Sequence, residues 1–369
     1  MTAKVKNLLH ISPNFDYPCG VSKHVYISLK KLASDPNYNV FFITNKGDSL
    51  DRLAEIANLN LSLLNFEKDH KDIFKLINDF FILFKFCKKN RIDVIHTHHR
   101  YPELLAFLVS LFIDIKTITT VHSFVKGLNR ISFRSHKIIA VSNAVNEYLK
   151  KKYVHTKSNC ITLQNCLEEN FFTTDEIDRI EIKKYFGYDL NDRILLFVGR
   201  INKIKGVDVL IKAFKTLPRE LNIKLLLVGS ITKEFLKELL FAKSEGIQHI
   251  ESQSDIKKFY ILADVVVLPS REDPFPYVML EAGAMRKPFI GSRTGGISEF
   301  IKDGVDGFLF EPENVDELVS KIIYVFNNPD LSQAASVKLF SKVKENYNCK
   351  SYFENLNRIY IDLLNQSKG

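Results

Sequence analysis

Three stretches of the 369-residue chain combine cations, acids and glycines at spacings suited to a phosphorylated ligand. The first reads Phe197-Val198-Gly199-Arg200-Ile201-Asn202-Lys203-Ile204-Lys205-Gly206. An apolar strand ends at Gly199 and a basic loop leads to a helix near Gly206. Arg200 and Lys205 then lie at a strand's carboxyl end beside a helix N-terminus. A planar guanidinium fork, a compact ammonium and a helix dipole together suit a diphosphate, a solvated basic turn being the competing reading. The second stretch, 269–282, has a strand ending near Leu268, a Pro-rich loop, and a helix starting near Pro276 or Tyr277, where a first-turn proline costs no donor. Asp273 lies in that loop and Glu281 about one turn inside the helix. A loop carboxylate can accept sugar hydroxyls, and an early helical carboxylate can hold the diol of a ribose. Taken alone, the pair would be an N-capping acid and a solvated glutamate. The third is Thr294-Gly295-Gly296-Ile297-Ser298-Glu299, followed by Asp303-Gly304-Val305-Asp306-Gly307. Paired glycines allow close backbone approach to a ligand, or simply a tight turn.

These stretches need a scaffold, and the pattern of the chain predicts one. Short β-branched apolar runs alternate with longer helical patterns, as in parallel α/β proteins. A first series of strands is expected at 7–12, 40–44, 93–97, 116–121, 137–141 and 160–163, with a helix from Val21 to about Ala33. A second series is expected at 194–198, 224–228, 247–251, 264–268, 288–291 and 307–310. The polar, acidic segment 168–192 separates them, and helical patterns at 315–326 and 352–364 close the chain. The expectation is an α/β protein of two Rossmann-like domains, with mostly parallel sheets facing each other across a cleft. The domains are read as 1–170 and 171–345, with a C-terminal helix, 346–369, packing back toward the first. Ligands in such folds bind at the carboxyl ends of the strands.

The net charge of +9 is unevenly placed: residues 1–170 carry 24 Lys and Arg against 15 Asp and Glu, and the remainder 28 against 28. A basic half joined to a neutral half implies surfaces that meet different partners. The five cysteines, Cys19, Cys87, Cys160, Cys166 and Cys349, include no CxxC pair, which argues against a disulfide scaffold or zinc ribbon. No two glycines are two apart, so the dinucleotide fingerprint is absent; there is no Walker A loop, D-x-D clamp or G-x-S-x-G elbow. No nucleic-acid module is recognised. His96, His98 and His99 cluster at the end of a predicted strand, and alternation along a strand would put His96 and His98 on one face. With no H-E-x-x-H or cysteine partner nearby, no metal is expected there. The N-terminus lacks the apolar core of a secretory signal, and no apolar run approaches the ~20 residues of a membrane span, so a cytoplasmic protein is expected. Residues 70–91 combine Phe74, Leu76, Ile77, Phe80, Phe81, Leu83, Phe84 and Phe86 with six Lys and Arg. Such a helix could rest on an anionic membrane surface; a core-packed helix with a charged end is the favoured alternative.

In this order, the three stretches resemble the donor domain of the retaining nucleotide-sugar glycosyltransferases of family 4, which have the two-Rossmann GT-B fold. The strings VGRINKIKGVDVLIKAF, LADVVVLPSREDPFPYVMLEAGA and GGISEFIKDGVDGFLF carry the likeness. GVSKHVYISLKKLA, DVIHTHH, TVHSF, IIAVSNAV and LQNC extend it, more weakly, through the first half. The resemblance implies an acceptor-binding domain over 1–170 and a nucleotide-sugar (donor) domain over 171–345. It implies that Arg200 and Lys205 hold the donor diphosphate and that Glu281 takes the ribose. The family's paired acids are glutamates eight apart; counting back from Glu281 gives Asp273, with Glu272 one place out of register, so the sugar-contacting role stays open between them. Backbone around Phe275, Pro276, Tyr277 and Val278 would face the sugar and phosphates. Pro18-Cys19-Gly20-Val21 stands where the family has a glycine-rich loop, with Cys19 for its first glycine and Gly20 as the flexible point near the diphosphate. His122 of TVHSF matches a histidine that approaches the donor sugar. The implied activity moves a hexose-type sugar from a nucleotide-diphosphate donor to a glycan or glycolipid acceptor, with retained configuration and neither metal nor other cofactor. Lipopolysaccharide or cell-surface polysaccharide synthesis is the expected setting. The basic half adds the expectation of an anionic acceptor, or of a peripheral place on the inner face of the plasma membrane. Alternatives on the same fold are an epimerase, a phosphorylase and a non-catalytic sugar-nucleotide-binding scaffold.

Overall fold

A computed structural model of the chain describes residues 5–17, 19–66, 72–173, 178–233, 235 and 246–365. The chain forms two compact units, one made of Met1–Gln164 with Tyr352–Gly369 and the other of Asn165–Ser351.

The first unit is built on a seven-stranded sheet. Its strands are β1 (Lys6–Ile11), β2 (Tyr38–Thr44), β3 (Leu59–Leu63), β4 (Val94–Thr97), β5 (Lys116–Val121), β6 (Lys137–Ala140) and β7 (Cys160–Thr162). They run in the order β3-β2-β1-β4-β5-β6-β7, every pair parallel. The central strands are buried almost throughout, as expected of a parallel sheet covered on both faces. The helix Ile73–Lys89 starts where the Asp72 carboxylate accepts from the Phe74 and Lys75 N–H groups. It lays Leu83 and Cys87 into a core with Leu9, Ile11, Phe41, Ile43, Ile95 and Leu105. Strand β3 was not expected. Its sequence, LNLSL, is short and half polar because it is an edge strand with only one neighbour.

The second unit repeats the plan with β8 (Arg193–Val198), β9 (Ile223–Val228), β10 (Ile247–Ile250), β11 (Val265–Leu268), β12 (Phe289–Ser292) and β13 (Phe308–Phe310). Their order is β10-β9-β8-β11-β12-β13, again all parallel. A further unexpected element is the helix Pro329–Asn346, whose proline sits in its first turn and whose apolar face is narrow. The expected junctions at 170/171 and 345/346 move to 164/165 and 351/352. The reason is local: Asn165 Nδ2 donates to the Phe275 carbonyl at 2.9 Å, and Leu167 N–H donates to the Tyr347 carbonyl at 2.8 Å, so both flanking segments pack with the second sheet.

Each sheet reverses direction of growth once, between β1 and β4 in the first unit and between β8 and β11 in the second. The connections leaving the strands diverge there and leave a crevice at the carboxyl ends. No helix among the described residues is long and apolar enough to cross a membrane.

Candidate functional site

At the β8/β11 switch of the second unit, two close backbone approaches draw the three sequence stretches together. Gly206, which precedes the helix Val207–Thr216, has φ +69°, and a Cβ there would stand 1.8 Å from the Pro269 carbonyl oxygen. Only glycine meets both demands. A Cβ on Gly296 would stand 2.0 Å from the Pro274 carbonyl oxygen, and the Gly296 N–H donates to the Asp273 carbonyl at 2.9 Å. The basic loop after β8, the Pro-rich loop after β11 and the turn after β12 are thus fixed on one another. Arg271 braces them further, binding both carboxylate oxygens of Asp208 at 2.7 and 2.8 Å and Glu313 at 2.8 Å.

Lys205 Nζ lies 2.5 Å from Asp273 Oδ2, which also accepts from Ser270 Oγ at 3.0 Å. Asp273 is buried, and its charge is met by the half-buried ammonium. Glu272 is exposed. Arg200 is exposed and has no ion-pair partner among the described residues. Glu281, on the helix Tyr277–Ala284, is buried rather than solvated, and accepts from the Tyr260 hydroxyl at 2.5 Å. Burial first, and the neighbouring carboxylate second, push the Tyr260 phenol well up, so it stays a donor. Neither acid caps a helix: Pro276 precedes Tyr277–Ala284 and no side chain caps its first turn. Pro276 and Tyr277 are buried, and Val278 is half-buried. Phe275 is an anchor: its ring packs on Phe300 and Tyr347, with centroids 5.7 and 5.8 Å away.

The β1/β4 switch of the first unit is lined instead by imidazoles. His10 on β1 stands beside His96 on β4 in register. His98 follows β4, His122 follows β5, and His24 comes from the helix Gly20–Ala33. His10, His24, His96 and His98 are buried and His122 is half-buried. A hydrogen-bonded chain joins them. Thr120 Oγ1 meets His96 Nε2 at 2.7 Å, and His96 Nδ1 meets Tyr360 Oη at 2.7 Å. Tyr360 Oη meets His10 Nε2 at 3.3 Å, His10 Nδ1 meets His98 Nε2 at 3.2 Å, and His98 Nδ1 meets His122 Nε2 at 3.2 Å. Tyr352 Oη lies 3.3 Å from His24 Nε2. Burial, reinforced by neighbouring imidazoles, holds His10 down at about 3 and His96, His98 and His122 well below the usual histidine range. His10, His96, His98 and His122 are therefore neutral near neutral pH.

The sequence brings His96 and His98 onto one face, as the rings now stand, stacked at 4.7 Å. It gave no sign of His10, His24, Tyr352 or Tyr360, which lie far away along the chain and share no local spacing. Two groups among the described residues, His10–His96–His98 and His24–His98–His122, hold ligand-capable atoms within 4.8 Å of one another. The glycine-loop expectation also changes. Pro18 lies outside the described residues, Cys19 precedes the helix without a side-chain cap bond, and Gly20 is the exposed first residue of Gly20–Ala33, with no positive φ. It starts a helix.

Both halves of the chain are similar to known proteins. Residues 178–338 match the family described as glycosyl transferases group 1, and residues 18–170 match glycosyltransferase family 4. The chain is 27% identical over 302 residues to the N-acetyl-alpha-D-glucosaminyl L-malate synthase of Bacillus anthracis, covering 77% of this chain and 78% of the relative. It is 36% identical over 168 residues to the lipopolysaccharide 1,2-N-acetylglucosaminetransferase of Salmonella typhimurium, covering 40% and 44%. The crystal structure of Anabaena HepE in complex with UDP-glucose superposes with a TM-score of 0.83 at 16% identity, covering 96% of this chain and 99% of that one.

Proposed function

The chain belongs to the group 1 glycosyl transferases, with a first half of glycosyltransferase family 4, and from that premise we propose that it moves a hexose-type sugar from a nucleotide-diphosphate donor to a glycan or glycolipid acceptor with retained configuration. The observation that carries the reading is the convergence of Arg200, Lys205, Asp273 and Glu281 on one sheet switch of the second unit. Arg200, exposed and unpaired among the described residues, has its guanidinium available to a diphosphate. Lys205 adds a second cation beside a helix N-terminus. As the bond to the leaving phosphate breaks, these groups meet the growing negative charge, so the donor reaction asks for no metal. Asp273 takes the sugar-contacting role over Glu272. It is fixed by Lys205 and Ser270 at the crossing of the loops, whereas Glu272 faces solvent. Glu281, oriented by Tyr260, takes the ribose hydroxyls. Phe275 and Pro276 set the backbone path, and Tyr277 and Val278 open the helix whose N-terminus is turned to the phosphates. The acids of this switch, Asp273 and Glu281, are given sugar- and ribose-binding roles, and the proposed step is same-face attack assisted by the leaving phosphate. In the first unit, His122 is the residue assigned to the reacting sugar, and Gly20 keeps a donor-side assignment only as a helix start.

Nucleotide release from a panel of nucleotide sugars, with and without candidate acceptors, tests the reading. Acceptor-dependent release with one donor, and a product of the donor's anomeric configuration, is the expected result. An inverted product would remove the retaining step; release of epimer without acceptor would make the protein an epimerase; no binding of any nucleotide would make it a scaffold. The relatives' lipopolysaccharide chemistry supports a cell-surface glycan as acceptor. The helix Ile73–Lys89 supports an anionic membrane partner. Ile73, Phe74, Ile77 and Phe81 are exposed on it, Phe74 by 81%, above a basic end with Lys85, Lys88 and Lys89. Sedimentation with anionic vesicles at low salt should carry the protein down, and a Phe74→Ser, Phe81→Ser double variant should stay in solution; equal behaviour of the two removes the membrane partner.

A further inference from the structure

We propose that the first unit binds one divalent ion of the zinc type through His24, His98 and His122. This inference rests on the histidine geometry of that unit alone and stands or falls separately from sugar transfer. The three residues hold ligand-capable atoms within 4.8 Å of one another, and His98 Nδ1 and His122 Nε2 are already 3.2 Å apart. Two imidazole nitrogens bound to one tetrahedral zinc at about 2.05 Å are separated by about 3.3 Å, so this pair already has the required separation and needs a turn of the rings to converge on an ion. The His24 ring meets the His122 ring edge-on, with centroids 4.7 Å apart, and the His98 ring at 5.6 Å, so a small ring rotation closes the third contact.

Proton bookkeeping along the hydrogen-bonded chain chooses this trio over the deeper His10–His96–His98 group. A neutral imidazole carries one N–H. If His98 Nδ1 presents its lone pair, then His98 Nε2–H donates to His10 Nδ1, and His10 Nε2–H donates to Tyr360 Oη. The Tyr360 hydroxyl donates to His96 Nδ1, and His96 Nε2–H donates to Thr120 Oγ1. Every contact is satisfied with no group charged. The chain then ends in one lone pair directed at His122 Nε2, and His10 and His96 have both nitrogens committed to holding it there. Histidines that bind metals are oriented in this way by a partner on the other ring nitrogen. An ion entering between His98 Nδ1 and His122 Nε2 displaces the hydrogen bond they share, and His122 shifts its proton to Nδ1. The half-buried His122 edge leaves a side from which the ion can enter and where a fourth, exchangeable ligand can sit. Three neutral nitrogen donors with no carboxylate favour borderline ions over magnesium or calcium.

The test uses the full chain free of affinity histidines, stripped with chelator and titrated with Zn2+ and with Co2+. One equivalent should bind at about micromolar affinity or tighter, and Co2+ should give the visible absorption of a four-coordinate nitrogen site. His24→Gln and His122→Gln should each weaken binding about 100-fold, and His10→Gln, which acts through His98, about 10-fold. His249→Gln, in the second unit, should change nothing. Because Gln keeps a polar side chain of similar reach, circular dichroism and melting should show the variants folded. Should one fail to fold, a chelator-reversible rise in the melting temperature of the wild-type chain with Zn2+ decides instead. Absence of both binding and that rise overturns the proposal, as does full-strength binding in both His24→Gln and His122→Gln. Loss of binding in His96→Gln alone would also overturn it, placing the ion in the deeper group.

Discussion

The two units share a plan at their centres: β2-β1-β4-β5 in one and β9-β8-β11-β12 in the other, all parallel, with one reversal of growth. What each places at that reversal differs in kind. The second unit puts Arg200, Lys205, Asp273 and Glu281 there: Lys205 is paired with Asp273, Arg200 is exposed, and Glu281 accepts from Tyr260. The first half of the chain holds the whole +9, yet its reversal is lined by buried, neutral imidazoles. Net charge and the charge at a site are therefore separate quantities in this protein. The excess of cations in the first half lies on outer surfaces such as the end of Ile73–Lys89. A site that must meet a growing negative charge uses few cations in fixed places.

The sharpest way to break this comparison is at the charged switch. Lys205→Ala should lower turnover about 1,000-fold and also cost about 3 kcal/mol of stability, since it leaves the Asp273 carboxylate buried without its counter-charge. Turnover assays with melting curves check both effects. Arg200→Ala should lower turnover about 100-fold with an unchanged melting temperature, because the residue is exposed and has no ion-pair partner among the described residues. Equal loss of stability in the two variants would mean that the basic loop is structural. Between the acids, Asp273→Asn should lower turnover at least about 10-fold and Glu272→Gln should leave it within about twofold, a contrast that steady-state kinetics reads directly.

A smaller effect belongs to the neutral switch. Unfolded histidines titrate at 6.5, whereas His10 in the fold is held at about 3, with His96, His98 and His122 also well below the unfolded value. Below pH 6.5 the unfolded chain takes up protons that the folded cluster refuses. Their stabilising contribution is full above that pH and is lost as the pH falls toward the folded values. Each such histidine adds a slope of about 1.4 kcal/mol per pH unit in that window. Denaturant titrations between pH 7 and 5 should show this decline, and His10→Gln should flatten it.

The charged switch was legible in the sequence because its parts are local. Arg200 to Gly206, and Asp273 to Glu281, lie within single strand–loop–helix passages, where strand ends and helix starts fix the positions. Which acid is buried was not legible. A one-residue change of register is decided by the Lys205 and Ser270 contacts, and those exist only in three dimensions. The imidazole switch was scarcely legible at all. Its members come from β1, the first helix, β4, the end of β5 and, through Tyr352 and Tyr360, the last helix; only His96 and His98 share a local period. The edge strand β3 escaped notice because burial on one side leaves no long apolar run.

The central claim is that the nucleotide diphosphate is held by the charged switch of the second unit and needs neither a metal nor the histidine cluster. Calorimetric titration of UDP and GDP into the full chain in the presence of EDTA tests it most directly, with Arg200→Ala and His98→Gln run in parallel. One of the nucleotides should bind the wild-type chain and His98→Gln with similar affinity, and Arg200→Ala should bind it about 100-fold more weakly. Unchanged binding in Arg200→Ala together with loss in His98→Gln would contradict the claim.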